Sequence, residues 1–292
     1  MTASDGAAVV AEKQIDPRTV DLEVSSPAVG AVVPVRVTFP LGWSTTTTRT
    51  WPVLYLLQGA HDDYTSWTRE TTIEGFTLGK DVIVVMPSAG PTGIPTRWWE
   101  SGKGAPDYEA FQVTELWQLL QRGFHAGRVR SVAGVSTGGY GAMAMAARHP
   151  GAFAAAASYS GILDTTYSGM PDLMHAILMR EKLTPDSLWG DLSAQSQVWS
   201  ANNPYALATA LRTASLFVSC GNGVGEPANN QFGATLESAL WPQSQAFADR
   251  LRVLGIPVQT DFYPGGVHNW DSWRREFVTS WPLLAASLGL SG

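Results

Sequence analysis

Residues 134–138 read Gly-Val-Ser-Thr-Gly, a Gly-x-Ser-x-Gly pattern that presents a serine nucleophile on a sharp strand-to-helix turn. The five residues alone are weakly specific, because glycine and serine are common. Here an apolar strand pattern at residues 130–135 precedes them and a helical pattern at residues 138–148 follows, as the turn requires. The sequence therefore predicts that the hydroxyl of Ser136 attacks an acyl carbonyl carbon.

The two glycines of this pattern explain its spacing. A Cβ at Gly134 or Gly138 would collide with neighbouring elements, so only glycine leaves room for the tight turn that holds Ser136 at strained backbone angles. The hydroxyl then projects above the sheet at the N-terminus of a helix, where backbone N–H groups favour a developing negative charge.

Two backbone N–H groups are needed to hold the oxyanion that forms when a serine attacks an ester. The residue after the nucleophile, Thr137, provides one of them. The second is expected in the loop after the strand at residues 52–57, where Gly59 permits a tight turn and Ala60 follows it.

A serine hydroxyl also needs a base, and the chain has five histidines: His61, His125, His149, His175 and His268. In α/β-hydrolases the order along the chain is serine, acid, histidine, so only the last three qualify. His149 precedes Pro150 at the end of a helix, and His175 lies in a helical piece, which favours a surface position for both. His268 follows the last strand and precedes the last helix, so the sequence predicts it as the base.

The acid that orients this imidazole should follow the strand at residues 214–219. Glu226 and Glu237 are the candidates there, and their spacing does not decide between them. Asp249 lies within a helical pattern and Asp261 within a strand, which favours solvated surface positions for both.

The elements around these residues alternate between strands and helices, which predicts an α/β fold with a mostly parallel sheet and helices on both faces. Short apolar runs typical of strands buried on both faces occur at residues 52–57, 81–86, 130–135, 154–159 and 214–219. Two further strands are predicted at residues 31–39, as an antiparallel strand, and 257–263. Helices are predicted at residues 108–123, 138–148, 243–254 and 272–289.

This pattern predicts one domain over residues 16–292 after a flexible tail at residues 1–15. Residues 165–213 carry no strand pattern and contain helical pieces, so we interpret them as a helical insertion that covers the site.

The composition excludes several classes of protein. Charged residues make up 15% of the 292 residues and the net charge is −6, so a protein that binds nucleic acid through phosphate contacts is not expected. The single cysteine, Cys220, cannot form a disulfide within the chain, and no apolar run is long enough to predict a membrane span. No nucleotide-binding or metal-ligand spacing occurs, so we expect no cofactor and no metal.

The first residues, Met-Thr-Ala-Ser-Asp, do not have the pattern of a secretory leader. The chain as given is therefore expected in the cytoplasm, and the alternative is a secreted protein from which a leader has been removed.

Several motifs together resemble the antigen 85 mycolyltransferases and the wider esterase D group of α/β-hydrolases. From about residue 20 to the end, these are residues 53–59, 62–67, 83–87, 97–99, 114–116, 134–138, 160–164, 219–223, 236–237 and 268–273. The resemblance implies that Glu237, and not Glu226, is the catalytic acid. It also supports Ala60 and Thr137 as the oxyanion donors, and it implies that Cys220 is a structural thiol behind the acid.

The chain departs from this family where trehalose would bind. Members that bind trehalose carry an Asp and an Arg in the oxyanion loop, and Gln58 and His61 stand at the matching places here. The tryptophan after the catalytic histidine is retained as Trp270. The resemblance thus predicts Gln58, His61, Trp98 and Trp270 as substrate-binding residues but does not extend to trehalose as the acceptor.

Tryptophan is frequent, with 12 residues in the chain. Trp67, Trp98, Trp99, Trp270 and Trp273 fall in segments that the fold places near the site, whereas Trp51, Trp117 and Trp281 are expected in the core.

The predicted activity is serine-dependent acyl transfer from a small-molecule ester, either to water or to an alcohol or sugar hydroxyl. The alternative from another class is a non-catalytic binding or adhesion protein on a hydrolase fold. The sequence does not indicate the oligomeric state.

Overall fold

The computed structural model of the protein describes residues 1–99, 104–224 and 230–290. Within these ranges nine strands form one sheet. In chain order they are β1 (Ala8–Gln14), β2 (Thr19–Ser26), β3 (Ala31–Thr38), β4 (Trp51–Leu57), β5 (Ile83–Pro87), β6 (Ala126–Val135), β7 (Ala155–Tyr159), β8 (Ser215–Gly221) and β9 (Gln259–Tyr263).

The order of the strands across the sheet is β1-β2-β3-β5-β4-β6-β7-β8-β9. The first four in this order pair antiparallel, and every pair from β5 to β9 is parallel. The carboxyl ends of six strands therefore meet at one edge of the sheet, and the loops that leave these ends can converge on a single site.

Helices connect the parallel strands. They are α1 (Ser66–Glu70), α2 (Ile73–Phe76), α3 (Tyr108–Ala110), α4 (Leu116–Gly123), α5 (Thr137–Arg148), α6 (Met170–Arg180), α7 (Ser196–Ala201), α8 (Pro204–Leu207), α9 (Gln231–Val253) and α10 (Trp270–Ser287). A π-helical segment, Phe111–Glu115, joins α3 to α4, and 3-10 turns occupy Pro185–Ser187 and Ala208–Thr213.

The core lies in two layers because successive side chains of a strand point to opposite faces. On β4, Val53 and Tyr55 belong to the layer that contains α4 and α5, whereas Leu54 and Leu56 belong to the layer that contains α10. Both faces are apolar, which is why the strand patterns in the sequence are continuous rather than alternating.

The predicted mostly parallel sheet with helices on both faces is confirmed. The predicted insertion at residues 165–213 contains α6, α7 and α8 and no strand. One part of the prediction is wrong: residues 1–15, expected as a flexible tail, contain β1, which pairs antiparallel with β2. None of the helices in the described part of the chain has the length and apolarity needed to cross a bilayer.

Candidate active site

Ser136 lies at the junction between β6 and α5, with φ 55° and ψ −122°. A non-glycine residue at positive φ is strained and persists only where its surroundings fix it. A Cβ on Gly134 would overlap the carbonyl group of Gly138, and a Cβ on Gly138 would overlap the carbonyl oxygen of Gln58. Both glycines of the pattern are thus required by close backbone approach.

His268 contacts the hydroxyl of Ser136: its Nε2 lies 2.9 Å from the serine Oγ. Two hydrogen bonds fix the loop that carries this histidine. Its own backbone N–H donates to the carbonyl of Gly233 at 3.1 Å, and the next residue, Asn269, caps α10 by accepting from the N–H of Ser272 at 3.0 Å. This cap fixes where α10 begins and therefore where the imidazole stands.

Glu237 completes a chain of contacts, with its Oε2 3.0 Å from Nδ1 of His268. The carboxyl group is fully buried on α9. Its other oxygen accepts from the hydroxyl of Ser160 at 2.7 Å and from the N–H of Gly221 at 2.8 Å. These donors offset the cost of burying a carboxylate and fix the carboxyl plane towards the imidazole.

Sequence spacing left two acid candidates open, and the structure distinguishes between them only in part. Glu237 reaches His268, whereas Glu226 lies outside the described residues. Cys220 lies behind the acid, with its Sγ 3.3 Å from the Glu237 carboxylate. Burial, and then the nearby charge of Glu237, raise the pKa of the Cys220 thiol well above its usual range, so the thiol is a poor nucleophile there.

The loop after β4 brings Ala60 to the site. A Cβ on Gly59 would stand 3.3 Å from the Cβ of Ser136, so this loop passes directly beside the nucleophile. Among hydrogen bonds between described residues, neither the N–H of Ala60 nor that of Thr137 has a protein acceptor. Both backbone donors therefore remain available for an oxyanion.

A cavity of about 580 Å³ opens above Ser136. Most of its walls away from the nucleophile are apolar and come from α6 and α9, and the side chains of Arg180, His61 and Asp62 also line it. The side chains that form these walls include Leu173, Ala176, Ile177, Leu236 and Leu240. A cavity of this size and lining suits the apolar part of a small-molecule ligand.

Of the four residues predicted to bind substrate, two line this cavity, His61 and Trp270. The imidazole of His61 also contacts the carboxylate of Glu181 at the end of α6. The other two, Gln58 and Trp98, are not among the described residues that line this cavity. Gln58 is buried and donates to the carbonyls of Asp62 (2.6 Å) and Gly90 (3.0 Å), so it supports the oxyanion loop from behind. Trp98 packs into a buried apolar cluster.

The other tryptophans likewise either line the cavity or are buried away from it. Trp273 lines the cavity beside Trp270, and the indole N–H of the buried Trp67 donates to the carbonyl of Leu57 at 3.1 Å. Trp51 and Trp281 are buried in the core, as expected.

Ser160 was missed by sequence reasoning as a functional residue. It accepts from the indole N–H of Trp273 at 3.2 Å and donates to Glu237. Its place directly after β7 is the signal that could have identified it, because residues that follow parallel strands gather at the same edge of the sheet.

Asn222 is a second residue near the site that the sequence did not indicate as functional. Its side-chain oxygen accepts from the N–H of Gly265 at 2.9 Å, which ties the end of β8 to the histidine loop. No group of three or more His, Cys, Asp or Glu residues with a metal-binding arrangement occurs in residues 1–99, 104–224 and 230–290.

Comparison with known proteins gives relatives over most of the chain. A family profile described as "Putative esterase" matches residues 26–284. Esterase Rv1288 of Mycobacterium tuberculosis is 31% identical over 271 residues, which cover 89% of this chain and 58% of that protein. The chain thus spans little more than half the length of that relative. The diacylglycerol acyltransferase/mycolyltransferase Ag85B of Mycobacterium intracellulare is 29% identical, over 82% of this chain and 76% of that protein.

Solved structures share the fold. MPT51 (FbpC1) of Mycobacterium tuberculosis superposes with a TM-score of 0.70 at 21% identity, over 96% of this chain and 99% of that chain. The fluorophosphonate-binding serine hydrolase FphF of Staphylococcus aureus gives a TM-score of 0.70 at 22% identity, over 91% and 98%. The α/β-hydrolase fold and the antigen 85 and esterase D resemblance predicted from the sequence are confirmed. The chain belongs to the esterase family that this profile defines.

Proposed function

We propose that the protein is a serine esterase or acyltransferase that forms an acyl-enzyme on Ser136. The observation that supports this most is the continuous contact from the Ser136 hydroxyl through His268 to the buried Glu237, at 2.9 Å and 3.0 Å. This is the arrangement in which a base, oriented by an acid, activates a weak nucleophile.

In the first half-reaction, Nε2 of His268 takes the proton of Ser136 while Oγ bonds to the ester carbonyl carbon. The carbonyl oxygen becomes an oxyanion, which the N–H groups of Ala60 and Thr137 hold. The tetrahedral adduct then collapses, the bond from carbon to the alkoxy oxygen breaks, and the protonated His268 gives its proton to the departing alcohol. Glu237 stabilises the imidazolium and keeps Nδ1 as the protonated nitrogen.

In the second half-reaction the acyl group leaves Ser136. His268 removes a proton from water or from an alcohol hydroxyl, whose oxygen attacks the acyl carbon, and the serine recovers its proton through the same imidazole. Water gives a carboxylic acid, and an alcohol gives a new ester. The names of the relatives include both an esterase and an acyltransferase, which supports either outcome.

The cavity supports an apolar acyl group as the substrate part that the protein recognises. Its volume of about 580 Å³ lies within the range of roughly 300–1,000 Å³ of small-molecule sites. The aliphatic side chains from α6 and α9 offer an acyl chain contact without hydrogen-bonding groups.

The test compares hydrolysis of 4-nitrophenyl butanoate by the wild type and by Ser136→Ala. Ser193→Ala, which removes an exposed hydroxyl in the loop before α7, is the matched control. We expect Ser136→Ala alone to lose activity and labelling by a fluorophosphonate probe. Equal activity in the wild type and Ser136→Ala would refute the proposal. Product analysis with an added primary alcohol then separates transfer from plain hydrolysis.

A further inference from the structure

A second buried carboxyl group, Glu276, lies near the acid of the site but has no part in the steps above. It is on α10 and is fully buried. Its Oε2 is 2.8 Å from the hydroxyl of Ser219, and its Oε1 is 2.7 Å from the hydroxyl of Tyr263. Among the described residues, no Lys, Arg or His side chain forms an ion pair with it.

Two other buried glutamates can be compared with Glu276, and one of them, Glu115, also has neutral partners, the hydroxyl of Ser26 and the N–H of Ala28. Glu109 is also buried, but Arg148 donates to its carboxylate at 2.9 Å, and His149 lies 2.7 Å from the same oxygen. Buried carboxylates are normally compensated by a cation in this way. Glu276 has two neutral hydroxyls instead.

Glu276 and Glu237 are both attached to the end of β8. Ser219 binds Glu276, and two residues later the N–H of Gly221 binds Glu237. Two carboxyl groups in one dry region do not both ionise readily, because each negative charge disfavours the other. The one imidazole in contact with the pair, that of His268, is bound to Glu237.

The hydrogen-bond partners decide which carboxyl keeps the proton. The N–H of Gly221 can only donate, so one oxygen of Glu237 must accept, and the other oxygen faces Nδ1 of His268, which donates when Nε2 accepts from Ser136. The partners of Glu276 are hydroxyls, which can accept as well as donate. Ser219 has an alternative acceptor, the carbonyl of Ser158 at 3.5 Å, and is therefore free to accept a hydrogen bond from a protonated Glu276.

We propose that Glu276 carries the proton of this buried pair at neutral pH, so that Glu237 alone is the carboxylate that contacts His268. Burial, and then the charge of Glu237, raise the pKa of Glu276 to about 8, which agrees with this placement of the proton. The inference rests on the proposed function only where activity is measured.

The groups that face Glu276 from each neighbouring element leave it without a compensating charge. They are Glu237 on α9, Cys220 on β8, Tyr263 and Asp261 on β9, Tyr159 on β7 and the adjacent Arg275 on α10. The guanidinium of Arg275 is bound to Asp261 at 2.6 Å and stacks on the ring of Tyr263, outside the buried region. One of the two carboxyl groups, Glu237 or Glu276, therefore keeps a proton, and the pair carries one negative charge instead of two.

This proton makes stability depend on pH in a defined direction. The pKa of Glu276 is above its ordinary value of 4.5 in the folded protein. As the pH rises, the carboxyl group therefore loses its proton at a lower pH in the unfolded chain than in the folded protein. The contribution of Glu276 to stability is complete below about pH 4.5 and is lost as the pH rises to about 8. Glu276→Gln keeps both hydrogen bonds, has no proton to lose and therefore escapes this loss.

The experiment measures urea unfolding of the wild type and Glu276→Gln between pH 5 and 8. We expect the ratio of their folding constants to change in favour of Glu276→Gln by about tenfold per pH unit. Glu23→Gln, which neutralises an exposed carboxylate on β2, is the control and should show no such trend. An infrared difference spectrum of wild type minus Glu276→Gln at pH 7 should contain the C=O band of a protonated carboxyl group.

The kinetic measurement distinguishes a neutral from a charged Glu276. We expect kcat/KM of Glu276→Gln at pH 7 within about threefold of the wild type, with the acid limb of the pH profile unmoved. A limb shifted to lower pH, or an infrared spectrum without the protonated band, would overturn the proposal. The unfolding and infrared results do not depend on ester hydrolysis, so they remain interpretable if the proposed function fails.

Discussion

Glu237→Gln is the substitution that most directly tests the arrangement of the site. The glutamine has the shape of glutamate, but one carboxylate oxygen becomes an NH₂ group that can only donate. In the wild type one oxygen faces the hydroxyl of Ser160 and the N–H of Gly221, and the other faces Nδ1 of His268. The NH₂ group must take one of these two places.

Placing the NH₂ group against the N–H of Gly221 is energetically unfavourable. An NH₂ group against the N–H of Gly221 would leave two buried donors facing each other, at a cost of about 1–3 kcal/mol. The glutamine oxygen therefore takes that place, and the NH₂ group faces Nδ1 of His268. Nδ1 then has to accept, so the proton of the neutral imidazole moves to Nε2. A protonated Nε2 cannot remove the proton of Ser136 at 2.9 Å.

The expected result is a fall in kcat of about 10⁴-fold, the effect of fixing the wrong imidazole tautomer in a catalytic triad, with little change in KM. Steady-state hydrolysis of 4-nitrophenyl butanoate measures it, and thermal unfolding checks that the variant is folded. Glu226→Gln is the matched control, because sequence spacing alone made Glu226 an equal candidate. A loss below tenfold in Glu237→Gln, or the large loss in Glu226→Gln, would refute the reasoning.

Three further predictions follow from other parts of the site. A Cβ at Gly93 would stand 2.5 Å from the carbonyl oxygen of Gly59 and 2.7 Å from the hydroxyl of Thr137, so Gly93→Ala should displace the oxyanion donors and lower kcat about 10²–10³-fold in the same assay. Ala176→Phe adds volume to an exposed position of the cavity wall, so the ratio of kcat/KM for octanoate over acetate esters should fall about tenfold, and an unchanged ratio would place the acyl chain elsewhere. Cys220 should resist iodoacetamide in the folded protein and react after unfolding, as mass spectrometry would show, because the thiol is buried with a raised pKa.

The structure brings Ser136 and His268, predicted as nucleophile and base, into contact, and the positions of both depend on short-range constraints. Ser136 stands between two glycines that close backbone contacts require, and His268 lies in the one short loop between the last strand and the last helix. Predicting where the acid lies requires a helix boundary that the sequence does not reveal. The sequence predicts a helix from residue 243, but α9 begins at Gln231 and continues through Pro242, a residue type that ordinarily ends a helix. Glu237 therefore lies within a helix and not in a loop.

The differences between the sequence analysis and the structure have a different physical origin. Gln58 and Trp98 belong to loops, and nothing in a loop sequence fixes the direction in which a side chain points. The strand β1 has mostly exposed side chains and only a short apolar run, Ala8–Ala11, and it is held mainly by backbone pairing with β2 at the edge of the sheet. Glu276 was overlooked, although its spacing from Trp273, Phe277 and Ser280 places it on the buried face of α10.

The architecture places part of the wall proposed to contact the acyl chain on α6, which carries none of the proposed reacting groups, whereas α9 carries both another part of this wall and Glu237. The proposed nucleophile follows β6, the two donors to the proposed acid follow β7 (Ser160) and end β8 (Gly221), and the proposed base follows β9, so the sheet fixes these groups together. The apolar wall of the cavity comes instead from α6 in the insertion and from the first turns of α9. A substitution in α6 can therefore alter the shape of the acyl site without moving a parallel strand. Because the proposed reacting groups do not lie on α6, we expect that substrate preference can change in this protein while the proposed acyl-transfer step stays intact.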